Sequence, residues 1–142
     1  MAAKLGAMDD VTADAGAYLL VIDLATVLVL DVRRTAPATL APGRYIYCGS
    51  AYGPGGIRAR VRRHLTCDKA VRWHVDRLTA VGRVVAVHAA PGGSKCDLFA
   101  EVMKTPGATV PAPGFGSSGC RRCPSHLARL PAGYPYRRRE DR

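Results

Sequence analysis

The stretch of sequence that decides the fold is YIYCGSAYGPGGIRARVRRHL, residues 45–65. Its first residues are strand-like, with aromatic side chains at the alternate positions Tyr45 and Tyr47. Gly-Pro-Gly-Gly at residues 53–56 marks a tight turn, and a basic segment with helical spacing follows it. The stretch therefore predicts a strand, a turn and a helix that bring tyrosines, arginines and a histidine close together.

The composition of the whole chain favours a polyanionic partner. Its 142 residues are enough for one domain with a single core, and 21 Lys and Arg against 11 Asp and Glu give a formal net charge of +10. Such an excess is typical of proteins that bind nucleic acid. An Arg-rich protein without such a partner would have the same totals, so composition alone leaves both interpretations open.

Cysteine usage and hydropathy predict where the protein works. The chain has five cysteines, an odd count, and its first 16 residues lack the apolar segment of a secretory signal. We therefore expect a reducing, cytoplasmic setting with free or metal-bound thiols. The longest apolar stretch, residues 18–32, is shorter than a membrane span and contains Asp23, so we expect no membrane partner.

Hydrophobic periodicity predicts a small α/β (α+β) domain. Residues 17–32 predict a β-hairpin with a break near 24–26, residues 33–43 a loop, and residues 44–50 a third strand paired with the hairpin. This order of elements favours a mainly antiparallel sheet flanked by helices. The other predicted elements are helices over 57–66, 69–80 and about 95–104, and a strand over 83–90.

The predicted helix after the glycines carries the first candidate site residues. Ile57, Val61 and Leu65 form an apolar stripe, and Arg60 and His64 lie one turn apart along one edge of it. A guanidinium at the border of a core is held firmly and can bind a phosphate through two hydrogen bonds. The alternative is an edge pair that only covers apolar surface.

Other cationic and aromatic residues are candidates for contacts with nucleic acid. In the first helix Arg63 is predicted to point away from the apolar stripe, whereas its other arginines flank the stripe. In the second helix an outward tryptophan among arginines could stack on a base or lie against a neighbouring loop. The predicted contact residues are Arg58, Arg62, Arg63, Arg72, Trp73 and Arg77.

Taken together, the motifs resemble the GIY-YIG nuclease superfamily. The later motifs resemble one branch of it, small proteins first catalogued as a domain of unknown function, which occur alone or fused to endonuclease III-type repair enzymes. The superfamily motifs correspond to GAYLLV (16–21), YIYCGSA (45–51) and GIRARVRRHL (56–65), and the branch signatures to RWHVDRL (72–78), KCDL (95–98) and GFGSSGCRRCPSHL (114–127).

This resemblance implies a central three-stranded antiparallel sheet and hydrolysis of phosphodiester bonds assisted by Mg²⁺ or Mn²⁺. It places Tyr18, Tyr47, Arg60 and His64 at catalytic positions. Neighbouring cations would lower the pKa of a tyrosine, ordinarily about 10, so that its hydroxyl relays a proton. Arg60 would bind the developing negative charge. The alternative for both tyrosines is that they are ordinary strand aromatics.

The same resemblance places a metal-binding carboxylate on the helix over 95–104. The best alignment of KCDLFAE puts Ala100 at the glutamate position of the superfamily and Glu101 one residue later, a rotation of about 100° around the helix axis. Glu101 is therefore the expected ligand, and Asp97 on the same polar face is its substitute. A solvated helix face without a metal is the alternative.

The remaining candidates line the expected site or suggest zinc. The spacing of Cys120, Cys123 and His126 is typical of zinc ligands, but a structural zinc ion needs four. His64 or Cys67 could supply the fourth only through the fold, so zinc is the less favoured interpretation. The residues that the resemblance places around the site are Gly49, Ser50, His74, Ser117, Ser118 and His126.

The sequence thus predicts a GIY-YIG-like, metal-dependent endonuclease that acts on DNA, in a repair setting with other repair proteins as partners. Two alternatives stay open: a catalytically weak DNA-binding accessory module, and a zinc-bearing interaction domain. We expect a disordered N-terminus over 1–15, a nuclease-like domain over 16–130 and a basic tail over 131–142.

Overall fold

The computed structural model describes residues 11–30, 38–65, 74–112 and 125–131, with the side chains of 74–77 outside that description. This part of the chain contains helices and antiparallel strands, which confirms the predicted mixed class. The elements are β1 (Gly16–Leu24), β2 (Leu28–Leu30), β3 (Ala38–Leu40), β4 (Gly43–Ala51), α1 (Gly56–Leu65), α2 (His74–Val81), β5 (Arg83–Pro91), α3 (Lys95–Val102) and β6 (Leu127–Leu130).

The main sheet has four antiparallel strands in the order β5-β1-β4-β6. β1 is its centre, paired along most of its length with β4 on one side and β5 on the other. At one end of the sheet Gly16 pairs with both Ala51 and Pro91. We call this the Gly16 end, because the residues discussed below gather there.

The predicted hairpin over 17–32 is wrong. β1 does not pair with β2; instead β2 and β3 form a separate two-stranded sheet, and β3 lies within the predicted loop. The main sheet also has a fourth strand, β6, where three strands were expected. Alternating hydrophobicity identifies a strand but not its partner, and β1 is apolar on both faces because helices cover both.

The predicted helices and the strand over 83–90 agree with the structure to within two residues at each described end. The N-terminal part of the helix predicted over 69–80 falls in residues 66–73, outside the described ranges. None of the helices in the described ranges is long and apolar enough to cross a membrane.

One face of the main sheet, the α1 face, is covered by α1 and α2. Successive side chains of a strand point to opposite faces, and Leu20 and Ile22 of β1 point to this one. They share a buried cluster with Ile57 and Val61 of α1 and with Leu78 of α2. Helix α1 is thereby fixed over β1 and β4, with its first turn at the Gly16 end.

The opposite face, the α3 face, is covered by α3. Leu19 and Val21 of β1 share its buried cluster with Phe99 and Val102 of α3. The helix begins at Ser94, whose hydroxyl accepts a hydrogen bond from a main-chain N–H of the first turn. The sheet therefore separates two hydrophobic layers, and each side chain of β1 or β4 belongs to one of them.

Residues 11–15 belong to the predicted disordered N-terminus, but the structure holds them against α1. The first N–H groups of a helix need acceptors from outside it. Ile57 N–H donates to the Asp14 carbonyl at 3.0 Å, and Arg58 N–H to the Thr12 carbonyl at 2.9 Å. The Arg58 guanidinium also donates to the Val11 carbonyl at 2.7 Å. Residues 1–10 and the tail over 132–142 lie outside the described residues.

Candidate functional site

Three side chains from three separate elements meet on the α1 face near the Gly16 end. The register pairs Tyr18 with Gly49 and Leu20 with Tyr47, so both tyrosines point to the same face. The ring centroids of Tyr18 and Tyr47 are 6.4 Å apart, and His64 of α1 lies 5.6 Å from the first and 6.1 Å from the second. We call Tyr18, Tyr47 and His64 the aromatic cluster.

A hydrogen bond joins two members of the aromatic cluster. The Tyr18 hydroxyl and His64 Nε2 are 2.7 Å apart, and the imidazole tautomer decides which of them donates. Tyr18 is 1% exposed and His64 2%, whereas Tyr47 is 9% exposed. The buried Tyr18–His64 pair can therefore hold a proton between oxygen and nitrogen, with Tyr47 as the cluster's most accessible member.

His64 lies deeper than the sequence predicted. It was placed at the border of the apolar stripe, but the structure buries it with Ile57 and Val61, while Leu65 is only half-buried. A helix repeats every 3.6 residues, so a position seven residues after Ile57 returns closer to the same face than the position eight residues after it. The apolar face of α1 thus ends in a histidine.

Gly49 makes room for the Tyr18 ring. A Cβ atom at position 49 would lie 2.5 Å from the Tyr18 hydroxyl oxygen and 2.6 Å from the ring carbon that carries it. Real side chains do not approach so closely, and the phenol of Tyr18 cannot yield without losing its contact with His64. The glycine after Tyr47 and Cys48 is therefore explained by this packing.

Arg60 precedes His64 by one turn of α1 and is bonded to the end of β4. Its guanidinium donates to the Ser50 carbonyl at 3.0 Å, and the residue is half-buried. Arg62 is exposed on the same helix, while Arg63 is half-buried, although it was expected to point away from the apolar stripe into solvent. Arg58 is engaged with residue 11. The arginines of α1 therefore differ in environment, and Arg60 is bonded to the strand end.

The described residues offer no metal site next to the aromatic cluster. Asp97 and Glu101 are exposed on α3, whose buried residues Cys96 and Phe99 face the sheet from the other side. Both carboxylates therefore lie on the solvent side of α3, with the helix and the sheet between them and Tyr18. Within the described residues no group of three or more His, Cys, Asp or Glu could hold a metal ion.

His126 does not line the aromatic cluster, contrary to the prediction. It is fully buried next to Cys96 on the α3 face, with Cys96 Sγ and His126 Nε2 3.4 Å apart. Its carbonyl accepts a hydrogen bond from Cys48 N–H at 2.9 Å, which aligns it with β4. The other predicted site residues fall outside what the structure describes. For His74 and Arg77 this concerns the side chain alone, and for the rest the whole residue: Arg72, Trp73, Ser117, Ser118, Cys120 and Cys123.

Tyr52 is a candidate that sequence reasoning missed. It follows β4 directly and is 61% exposed, yet its hydroxyl donates to the Gly93 carbonyl at 2.7 Å. This hydrogen bond fixes an exposed aromatic ring at the Gly16 end, between the turn before α1 and the start of α3. In the sequence, Tyr52 could have been singled out because it is an aromatic residue between the end of a strand and the Gly-Pro-Gly-Gly turn.

Chemically, the arrangement combines three functions at one sheet end. A phenol and an imidazole share a proton, a second phenol lies beside them, and a guanidinium is fixed next to that group. Proton transfer by side chains and stabilisation of negative charge by a fixed cation are the two main needs of hydrolysis at an ester of phosphoric or carboxylic acid.

Comparison with known proteins places the chain in one family. No curated protein and no solved structure matches it. The family model described as domain of unknown function DUF123 matches residues 17–139, which include all of the main sheet except Gly16, the helices α1, α2 and α3, and the aromatic cluster. Because this match takes in far more than half of the sequence, the chain belongs to the DUF123 family.

Proposed function

We propose that this protein is a GIY-YIG-like endonuclease that hydrolyses phosphodiester bonds in DNA, in the context of DNA repair. One observation carries the proposal: the hydrogen bond between Tyr18 and His64, with Tyr47 and Arg60 beside it. These are the four residues that the resemblance to GIY-YIG nucleases assigns to catalysis. An ordinary strand aromatic would not need a buried imidazole partner from a helix 46 residues further along the chain.

The four residues take different roles in this proposal. Tyr47, the most exposed of the aromatic cluster, contacts the substrate. The Tyr18–His64 pair accepts or supplies the proton that is exchanged during attack on phosphorus. Arg60 binds the negative charge that develops on the phosphoryl oxygens, with its guanidinium held in place by the Ser50 carbonyl.

The resemblance also implies a divalent ion, Mg²⁺ or Mn²⁺, which when bound would activate water or stabilise the leaving oxygen. Asp97 and Glu101 do not fit that task, because both are exposed on the solvent side of α3 and away from the α1 face. The proposed roles therefore belong to the chain's own tyrosines, histidine and arginine.

A second candidate function is a DNA-binding accessory module with little or no catalysis. The position of the two carboxylates favours it, since a GIY-YIG-like domain without a metal ligand would retain its basic surface and lose its turnover. The net charge of +10 supports DNA binding in both cases. The two functions differ in cleavage alone.

The test is a cleavage screen with the full chain. Labelled single-stranded, double-stranded and branched DNA, and RNA of the same sequences, are incubated with Mg²⁺, Mn²⁺ or EDTA. We expect cleavage of DNA that is lost in Tyr47→Phe and Arg60→Ala, and the comparison with EDTA tests whether cleavage needs a divalent ion.

Binding to the same substrates is measured in EDTA at increasing salt, and the affinity should fall steeply because cationic side chains release counterions from DNA. Salt-dependent binding without cleavage in any condition would select the accessory module. Binding that does not respond to salt, together with no cleavage, would contradict both functions.

A further inference from the structure

An exposed aromatic ring at the Gly16 end has no part in the proposed catalysis. Tyr52 follows Ala51, the last residue of β4, and is 61% exposed, yet its hydroxyl donates a hydrogen bond to the Gly93 carbonyl at 2.7 Å. Single exposed hydrophobic residues are common and need no explanation. Tyr52 differs from them because its hydrogen bond joins the turn before α1 to the turn before α3, which restrains the ring.

The exposed surface of Tyr52 is mainly that of its ring. A hydroxyl group is a small part of a tyrosine, and here it is hydrogen-bonded to the protein, so an exposed fraction this large belongs mostly to aromatic carbon. The three residues that follow, Gly53, Pro54 and Gly55, are exposed as well, and a Cβ atom at Gly53 would meet nothing within 4 Å. The ring is therefore accessible to a flat group from solution.

Tyr52 is close to the residue proposed to bind phosphate. The Arg60 guanidinium donates to the Ser50 carbonyl at 3.0 Å, and Ser50 precedes Tyr52 by two residues. Chain length alone keeps the Cα atoms of Ser50 and Tyr52 within about 7 Å of each other. A polynucleotide that places one phosphate on Arg60 can therefore reach the Tyr52 ring with a neighbouring base.

The chemistry of the ring selects the kind of group that it binds. A phenol whose hydroxyl is engaged offers chiefly its π-face, and every nucleobase has a π-face that stacks on such a ring. Phosphates have no such face and are bound by cations instead. The net charge of +10 favours a polyanion that carries flat groups, which is a nucleic acid, over an apolar peptide.

A base in the middle of a duplex cannot use this ring. It is already stacked on both of its neighbours, and an enzyme that contacts its face must first take it out of the stack. Bases of single-stranded nucleic acid have free faces and stack on exposed aromatic side chains without regard to sequence. An accessible ring next to a phosphate-binding arginine is therefore suited to an unpaired nucleotide.

We propose that Tyr52 is a stacking platform for an unpaired nucleobase next to the phosphate that Arg60 binds. The preferred DNA then has a single-stranded or unpaired nucleotide at the site. This inference rests on the proposed function for DNA binding alone, so it applies to the endonuclease and to the accessory module alike. Tyr52 is a binding residue and takes no part in proton transfer.

The first experiment compares two forms of DNA with the full chain in EDTA. A labelled single-stranded oligonucleotide and a long duplex of the same sequence are titrated with wild type, Tyr52→Ala and Tyr52→Phe. Tyr52→Ala should lose about tenfold in affinity for the single strand, as expected for one stacked base, and less than about twofold for the duplex. Tyr52→Phe retains the ring and should stay within about threefold of wild type.

Salt separates stacking from contacts with phosphate. The loss in Tyr52→Ala should be the same factor at every salt concentration, whereas Arg62→Ala should reduce the slope of affinity against salt. Val81→Ala is the matched control, because Val81 is 57% exposed but lies two residues before Arg83, at the opposite end of the sheet from Gly16. It should bind both forms of DNA as wild type does.

A third measurement removes the base instead of the ring. Abasic nucleotides are placed one at a time along the single strand, and wild type should lose about tenfold in affinity at one position, a loss that Tyr52→Ala no longer shows. Equal losses of Tyr52→Ala on single strand and duplex, or no loss on either, would overturn the inference while the proposed function stands. Wild-type protein that binds neither form of DNA would overturn both.

Discussion

The two faces of the sheet each bury one histidine, and the two histidines have different partners. On the α1 face, His64 is hydrogen-bonded to a phenol and lies next to a second phenol, one helical turn after Arg60. On the α3 face, His126 lies against a thiol and a phenyl ring. The first set of partners suits proton transfer and anions, whereas the second is a buried contact with a thiol and a hydrocarbon ring. In this chain the chemistry of an imidazole is therefore set by the face it covers.

The two faces also differ in charge, because the basic residues discussed here lie on α1 and the acidic ones on α3. On the α1 face, Arg60 of α1 is bonded to the Ser50 carbonyl near the Gly16 end, whereas the acids of α3 on the other layer are exposed to solvent. A catalytic centre that needed both would have to reach across the sheet. The substitutions below test whether the two faces work as separately as they are built.

The largest effect is expected at Arg60, because its guanidinium is held by the Ser50 carbonyl at the end of β4, one turn before His64. Arg60→Ala and Arg60→Lys should each lower kcat for DNA cleavage by about a hundredfold or more, since an ammonium group lacks the planar fork that binds two oxygens. Steady-state kinetics on the best substrate of the cleavage screen measures this.

Arg62→Ala is the matched control for Arg60, because Arg62 is exposed on the same helix. It should weaken DNA binding modestly, reduce the salt dependence of binding by about one phosphate contact and leave kcat intact. Equal losses of affinity in both variants with intact kcat would make Arg60 one more phosphate contact and end the catalytic interpretation of the α1 face.

The second prediction concerns the packing that holds the aromatic cluster together. Gly49→Ala should lower the free energy of unfolding by about 1–3 kcal/mol, because the new methyl group displaces the Tyr18 ring and strains its hydrogen bond to His64. Urea denaturation measures the change. Gly53→Ala is the control, since a Cβ atom there meets nothing within 4 Å, and it should change the stability by less than about 0.5 kcal/mol.

An unchanged stability in Gly49→Ala would mean that the Tyr18 ring moves without cost. The buried hydrogen bond to His64 would then not be a fixed feature of the α1 face, and the contrast with His126 would lose its basis.

Much of the α1 face could be predicted from the sequence. The Gly-Pro-Gly-Gly turn locates the start of α1, and helical spacing identifies Ile57 and Val61 as core residues. His64 was misplaced by a single position, because a repeat of eight residues was used where seven lies closer to the same face. The position of a residue around a helix can be predicted from the sequence because it depends only on residues within two helical turns.

The pairing of strands and the α3 face could not be predicted in the same way. β1 is apolar on both faces, so its pattern does not reveal that β4 and β5 flank it and that β2 pairs elsewhere. The contact between Cys96 and His126 joins positions 30 residues apart through a four-residue strand with no alternating pattern. Such contacts depend on the completed fold, which is why the sequence does not reveal that His126 and the acids of α3 lie away from the aromatic cluster.

The third prediction concerns a cross-strand ion pair at the end of the sheet opposite Gly16. The Arg44 guanidinium donates two hydrogen bonds to the Asp23 carboxylate, at 2.7 and 2.8 Å, and both side chains are about one-third exposed. These bonds hold the pKa of Asp23 below its usual value of 3.8. Asp23→Asn should therefore cost about 0.5–1 kcal/mol of stability at neutral pH, a small amount because solvent screens the pair.

The pH dependence follows from the direction of that shift. A carboxyl group with a lowered pKa in the folded state stabilises the fold at every pH above its unfolded pKa, and loses this contribution as the pH falls through the lowered value. The stability gap between wild type and Asp23→Asn should thus be constant from neutral pH to about pH 5 and shrink toward about pH 3. A gap that stays constant down to that pH would mean that the carboxylate charge contributes nothing.

The smallest effect is expected from the acids of α3, and it tests the separation of the two faces most directly. If the protein cleaves DNA, Glu101→Gln and Asp97→Asn should leave kcat at its wild-type value, because both carboxylates lie on the solvent side of α3 and the sheet separates them from Tyr18. Arg60→Ala serves as the inactive reference in the same assay. Loss of cleavage in Glu101→Gln with DNA binding preserved would make Glu101 on α3 a ligand of the divalent ion. A loss confined to Asp97→Asn would place the ion at the first turn of α3 instead. That turn begins just after Gly93, whose carbonyl accepts the hydrogen bond from Tyr52. Either loss would show that the two faces contribute to one centre, which the structure's two separate layers do not predict.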